Sequence, residues 1–273
     1  MAEFLITFRE TLEAALIVGI LFTFLVKSER NDLTRRVWSG VVVAVAASLL
    51  VAVLFQLLAG GFSGRLEKIF EGAVMILAAA VLSTMIVWMA RNRDIASGLE
   101  GRAESVLTEG SRVGVGIFAL AFVAVFREGV ETVLFLYGVL SNQGGISFGA
   151  SLAGGAAAVA IGYLIFVQGR RVPLKTFFNV SSILLILFAA GLIAHGIHEF
   201  HEAGILPFGT AVWDINPPVR SDGSYPLLHE KGGVGALAAG LFGWNGNPSL
   251  PEVLAWLLSV AGIGWLWRRA IAA

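Results

Sequence analysis

The chain has 273 residues, of which 57% are hydrophobic and only 14% charged, with a formal net charge of zero and a mean hydropathy of +0.82. A soluble domain is nearer half apolar and a quarter charged, so this is an integral membrane protein, and its balanced charge gives no sign of nucleic acid as a partner. Cysteine is absent, which excludes disulfides, zinc–thiolate sites, iron–sulfur clusters and thiol chemistry.

Apolar runs of spanning length, about 20 residues at 1.5 Å rise, fall near 4–26, 37–60, 67–90, 114–140, 147–167, 177–200 and 253–270. Backbone groups in lipid must be satisfied within the segment, and the alternation of a barrel strand is missing. The expected fold is therefore all-α with seven transmembrane helices. Met1-Ala2-Glu3 has no positive charge, and no small-residue cleavage site precedes the first charged motif. The first span is expected to be a retained helix and not a signal peptide.

The first span contains Phe8-Arg9-Glu10-Thr11-Leu12-Glu13, and the fourth repeats the pattern as Phe126-Arg127-Glu128-Gly129-Val130-Glu131. Each ionisable residue in a bilayer core costs roughly 2.5–3.5 kcal/mol even on a lenient insertion scale, so such clusters mark function before packing. The third span opens with Glu67 and Glu71 on one helical face. The fifth is rich in small residues, Gly154, Gly155 and Gly162 among them, which suits close helix packing. The sixth ends in His195-Gly196-Ile197-His198-Glu199-Phe200-His201-Glu202, where 195, 198, 199 and 202 form one stripe and His201 points elsewhere. Between the last two spans, residues 203–252 form a loop whose Gly-rich apolar run 232–243 either re-enters the membrane or packs on the surface.

Basic residues cluster in alternate connections. Lys27, Arg30, Arg35, Arg36, Arg91, Arg93, Arg102, Arg112, Arg170, Arg171, Lys175, Arg268 and Arg269 lie on one side; Arg65, Lys68, Arg220 and Lys231 lie on the other. The positive-inside rule puts the N-terminus outside and the C-terminus in the cytoplasm. Since the motif recurs after three spans, the two units enter the membrane from opposite faces, the inverted-repeat plan of many transporters. The whole chain 1–273 reads as one transmembrane domain: repeat one at 4–90, repeat two at 114–202, an outer loop at 203–252 and a seventh span at 253–270.

Within each motif Arg at i faces Glu at i+4. Arg9–Glu13 and Arg127–Glu131 are the expected ion pairs, with Glu10 and Glu128 as further acceptors. Four carboxylates against two arginines leave surplus negative charge, which calls for a hard cation on oxygen ligands. Glu71 and, nearer the surface, Glu67 are further candidates at the outer mouth, as is the stripe of His195, His198, Glu199 and Glu202. That stripe has neither H-E-x-x-H nor H-x-x-E-H, so intramembrane proteolysis lacks its motif. No G-x-x-x-x-G-K-[ST] is present, so no P-loop drives the chain.

At these two R-E-x-x-E motifs, with Glu67-x-x-x-Glu71-Gly72 opening the third span and the acidic end of the sixth, the chain resembles the oxidase-dependent iron transporter family over nearly its whole length. The resemblance implies a ferric iron permease of its bacterial branch, in the inner membrane. It also implies Fe(III) held by Glu10, Glu13, Glu128 and Glu131 beside Arg9 and Arg127. Iron is then cargo and not a cofactor, and a separate ferroxidase or periplasmic delivery protein is the implied partner. Two other functions use the same residues: a divalent-metal or cation–proton exchanger on the glutamates, and a membrane metalloenzyme on His195 and His198.

Overall fold

A computed structural model describes residues 2–91, 95–108, 113–143, 145–168, 174–206, 211–220, 223–227, 229 and 232–272. Arg93, Arg112, Arg170, Arg171 and Lys231, which enter the charge asymmetry, lie outside the described residues.

The described residues form nine α-helices: α1 (Ala2–Lys27), α2 (Thr34–Ala59), α3 (Arg65–Arg91), α4 (Ile95–Thr108), α5 (Val113–Gln143), α6 (Phe148–Phe166), α7 (Leu174–Glu202), α8 (Gly233–Phe242) and α9 (Leu250–Ala272). Six of them, α2, α3, α5, α6, α7 and α9, are long and apolar enough to cross a membrane. α1 matches α2 at 26 residues but carries Glu3, Arg9, Glu10, Glu13 and Lys27, so composition alone does not count it. Among the described residues the extended structure amounts to one isolated bridge, Ala211 to Ser249.

Local chemistry sets the turns between helices. Ser147 caps α6 by accepting from the Ala150 amide, and Glu3 of α1 accepts from the Ser147 amide, which ties the starts of both helices together. Serine there serves an amide that the first turn leaves without a helical partner. α8 ends at Gly243, whose φ of 69° is a left-handed stop that glycine adopts without strain.

The helices pack most extensively as three pairs: α1 with α6, α2 with α5, and α3 with α7. α9 then covers α7 and α3, and α1 lies along α5. The small residues of α6 make the first pair close: a Cβ at Gly162 would lie 3.1 Å from Ala15, and one at Gly154 would collide with Thr7. One core joins Ile6, Met75, Leu82, Phe135, Leu192 and Ile263 from five helices. Val42, Leu49, Val53 and Leu57 of α2 stay exposed, an apolar face that lipid covers.

Two elements go beyond the sequence reading. α4 lies in what reads as a connection, and seats Ala103, Leu99 and Val106 against Leu21 and Leu25 of α1 and Ile117 of α5. α8 occupies the 232–243 run and packs on α7 and α5. A Cβ on Gly191 of α7 would sit 2.6 Å from the Gly243 Cα, so the two backbones touch.

Candidate metal centre

α1 and α5 run side by side, and their contact brings the two charged motifs together. The residue after the first glutamate meets a neighbouring helix in each motif, with the room supplied by a glycine on one side or the other. Thr11 faces Gly155 of α6, and Gly129 admits Ser48 of α2, which any Cβ at 129 would strike.

Glu10, Glu128 and Glu131 converge, each presenting an oxygen within 4.8 Å of the others, and all three are buried. No hydrogen-bond donor serves either oxygen of Glu10, Oε2 of Glu128 or Oε2 of Glu131. Buried polar atoms without partners cost on the order of 1–3 kcal/mol each, more when charged. Three carboxylates so close repel one another unless a cation lies between them. The arrangement is chemically incomplete in a way that a metal ion with oxygen ligands completes.

The arginines differ. Arg9 is 1% exposed, with Nε 2.9 Å from Glu13 Oε1 and Nη1 3.9 Å from Glu10. Its Nη2 donates to the Met89 sulfur at 2.9 Å. The i to i+4 pair expected in the first motif is thus formed, and it occupies Glu13, which stands beside the triad and outside it. Arg127 is 45% exposed and approaches Glu128 at 2.6 Å, closer than Glu131 at 3.4 Å. In the second motif the adjacent glutamate therefore takes the shorter contact. The Trp88 ring lies 5.5 Å from the Arg127 guanidinium.

The outer candidates gather elsewhere and are held by a protein cation. Lys68 Nζ lies 2.9 Å from both Glu199 and Glu202 and 3.9 Å from Glu71. His198 Nε2 approaches Glu202 at 3.3 Å, and its Nδ1 meets Glu252 at 3.1 Å. Glu252 also accepts from Asn245 at 2.8 Å and Ser249 at 2.7 Å. His195 Nδ1 lies 3.2 Å from the Gly191 carbonyl of its own helix. Glu67 is exposed at the start of α3. Among the described residues these groups form no three-ligand cluster; the triad of Glu10, Glu128 and Glu131 does.

Sequence reasoning offered Lys68 as a partner of Glu67 and Glu71 but not of Glu199 and Glu202, and it missed Glu252 and Trp88. Glu252 had a trace, as an acid at the head of an apolar span within reach of a histidine-rich helix end. Trp88 had none, because an aromatic near a helix end is ordinary in a membrane protein.

Residues 1–268 match the iron permease FTR1 family. The ferrous iron permease EfeU of Escherichia coli O6:H1 is 35% identical over 258 residues, covering 93% of this chain and 90% of that protein. The ferrous iron permease EfeU of Yersinia pestis is 33% identical over 258 residues, covering 93% of this chain and 88% of its own. No solved structure matches the chain. The chain thus belongs to the iron permease FTR1 family, as a multi-pass transporter of the bacterial inner membrane that serves iron uptake and is not an enzyme.

Proposed function

We propose that the chain imports Fe(III) through the site formed by Glu10, Glu128 and Glu131, with Glu13 and the two arginines setting its charge. The observation that carries this is the buried triad, four of whose oxygens lack donors inside an iron permease fold. An all-oxygen donor set is that of a hard cation. α1 is the seventh span in this reading, because a transport site at the α1–α5 contact requires α1 within the bilayer. The helix pairing supports the inverted repeat. If α1–α3 and α5–α7 are equivalent units, α1 on α6 and α5 on α2 are the same contact made twice, while α3 on α7 maps onto itself. The basic connections support an N-terminus outside. Glu67, Glu71, Glu199 and Glu202 then stand at the outer face, where they draw cations in without holding them, and a separate ferroxidase or periplasmic delivery protein supplies the iron there.

A second reading is Fe(II), and two observations favour it. Both relatives are named ferrous iron permeases. Four carboxylates against Arg9 and Arg127 also leave a surplus of two negative charges, which a divalent ion neutralises. Uptake into proteoliposomes, with iron supplied as an Fe(III) chelate or as Fe(II) under ascorbate, separates the two. Saturable uptake of Fe(III) alone supports the first reading; uptake confined to the reduced supply overturns it.

A further inference from the structure

The triad is sealed on one side and open on the other. Arg9 is enclosed, whereas Arg127 and Glu131 line an open cavity of about 280 Å³ together with Val81, Thr84, Met85 and Trp88 of α3. A water needs about 10–15 Å³ of such volume, so the cavity admits an ion with its hydration shell. Glu131 belongs both to the cavity wall and to the triad. Lipid tails do not solvate a half-exposed guanidinium, which within a membrane protein faces water or a partner charge. Its α3 wall runs from Val81 to Trp88, three residues before Arg91 at the end of that helix, and Arg91 belongs to the face read as rich in basic residues.

We propose that this cavity is the water-filled release path of the triad toward the cytoplasm, and that Trp88 gates it by holding Arg127; the inference rests on the reading of the triad as the iron site. Arg127 is a tethered competitor for two of the three ligands, at 2.6 Å from Glu128 and 3.4 Å from Glu131. The guanidinium already lies over the Trp88 ring, 5.5 Å from its centroid, so an ion in the triad that displaces it from the carboxylates leaves it on that ring, whose quadrupole stabilises it. When the guanidinium returns to the carboxylates, the ion leaves through the space that has opened. Arg9 has no such freedom, because Glu13 and Met89 hold it in a closed wall.

The chain has no cysteine, so a single Thr84→Cys reports on the cavity without background. The probe is a positively charged, membrane-impermeant methanethiosulfonate, applied to right-side-out and inside-out vesicles containing the full-length chain, once the variant is shown to be monodisperse in detergent. The expected result is modification from the cytoplasmic face alone, slowed severalfold by iron, with the protection lost when Glu128→Gln is added. Trp88→Ala should speed modification by about two- to fivefold, the scale of one exposed cation–π contact, and Trp88→Phe should restore the slower rate. Three outcomes overturn the path: no modification, modification from the outer face, or a rate indifferent to iron. If any of these occurs while Glu128→Gln abolishes uptake, the path falls and the iron site stands. If Glu128→Gln transports at the wild-type rate, the site reading falls and this inference with it.

Discussion

The chain holds two acidic clusters built from similar residues, and they are opposites in their electrostatics. Where the starts of α3 and α9 meet the end of α7, every carboxylate that the cluster buries meets a protein cation or donor: Lys68 bridges Glu199 and Glu202, while His198, Asn245 and Ser249 serve Glu252. At the α1–α5 contact, Glu10, Glu128 and Glu131 converge, and although Arg127 donates to Oε1 of Glu128, both oxygens of Glu10 and Oε2 of Glu128 and of Glu131 have no donor. Acidity by itself therefore does not identify a metal site. A cluster that contains its own cation can serve as a strut between helices, whereas one short of cations is, in the reading proposed above, the receptor. The network around Lys68 fastens three helices and the chain before α9 together.

The sharpest way to break this comparison is to neutralise the receptor. Glu10→Gln, Glu128→Gln and Glu131→Gln are each expected to cut iron uptake by about 100-fold or more, beyond the 10–100-fold that losing even an outer-shell partner costs a metal site. Expression should persist, since each change relieves repulsion. Near-normal uptake by any of the three, measured in proteoliposomes, would remove that residue from the site.

Next in size is a contrast between the arginines. Arg9→Leu unpairs Glu13 inside a closed wall and should destabilise the protein by about 3–5 kcal/mol, the cost of breaking a buried ion pair. Arg127→Leu removes a guanidinium that is itself half-exposed in the open cavity, which Glu131 also lines, and should cost clearly less. Thermal unfolding in detergent compares them, and an equal loss would contradict the asymmetry of the two walls.

Lys68→Met tests the strut. It strands Glu199, which is 7% exposed, and should lower stability by roughly 1–3 kcal/mol while the maximal uptake rate stays near that of the parent chain. A collapse of the rate with unchanged stability would make the rim part of the transport site. The smallest effect is expected at Glu202→Gln, which weakens cation attraction at the mouth. Its apparent KM should rise by about two- to threefold, the scale of one exposed ion pair, with the maximal rate unchanged. Uptake against iron concentration measures both, and high salt should shrink the difference, because screening acts over about 8–10 Å.

Six of the seven expected spans and the two charged motifs were legible in the sequence for one reason: bilayer energetics forbid charge so strongly that Arg127, Glu128 and Glu131 stand out of an apolar run without any structure, whereas the convergence of Glu10, Glu128 and Glu131 without Glu13 is seen only in the structure. The pairing of Arg9 with Glu13 followed from helical spacing. What the spacing does not encode is the choice Arg127 makes between Glu128 and Glu131, which depends on the room beside Trp88. The same limit hid the state of the outer stripe. A pattern along α7 does not show that Lys68, on another helix, reaches Glu199 and Glu202. α4 escaped because Leu99, Ala103 and Val106 form an apolar stripe too short and too interrupted to stand apart from a polar connection; only Leu21, Leu25 and Ile117 give it something to cover.

The contact between Gly191 and Gly243 prescribes an order of assembly. α8 has 10 residues, about 15 Å of helix at 1.5 Å rise, half of what a bilayer core requires, so it cannot settle in the membrane by itself. It needs α7 already in place to offer a bare glycine backbone at position 191. α9 then closes over the joint, with Trp256 donating to the Phe242 carbonyl at 2.7 Å. The nascent chain is thus expected to remain incomplete until its last helix has been made, even though both transport motifs emerged long before. Ribosome-stalled chains cut before and after 250–272 should differ in protease resistance at the α7–α8 joint, and the same resistance in both would show that α8 docks without its clasp.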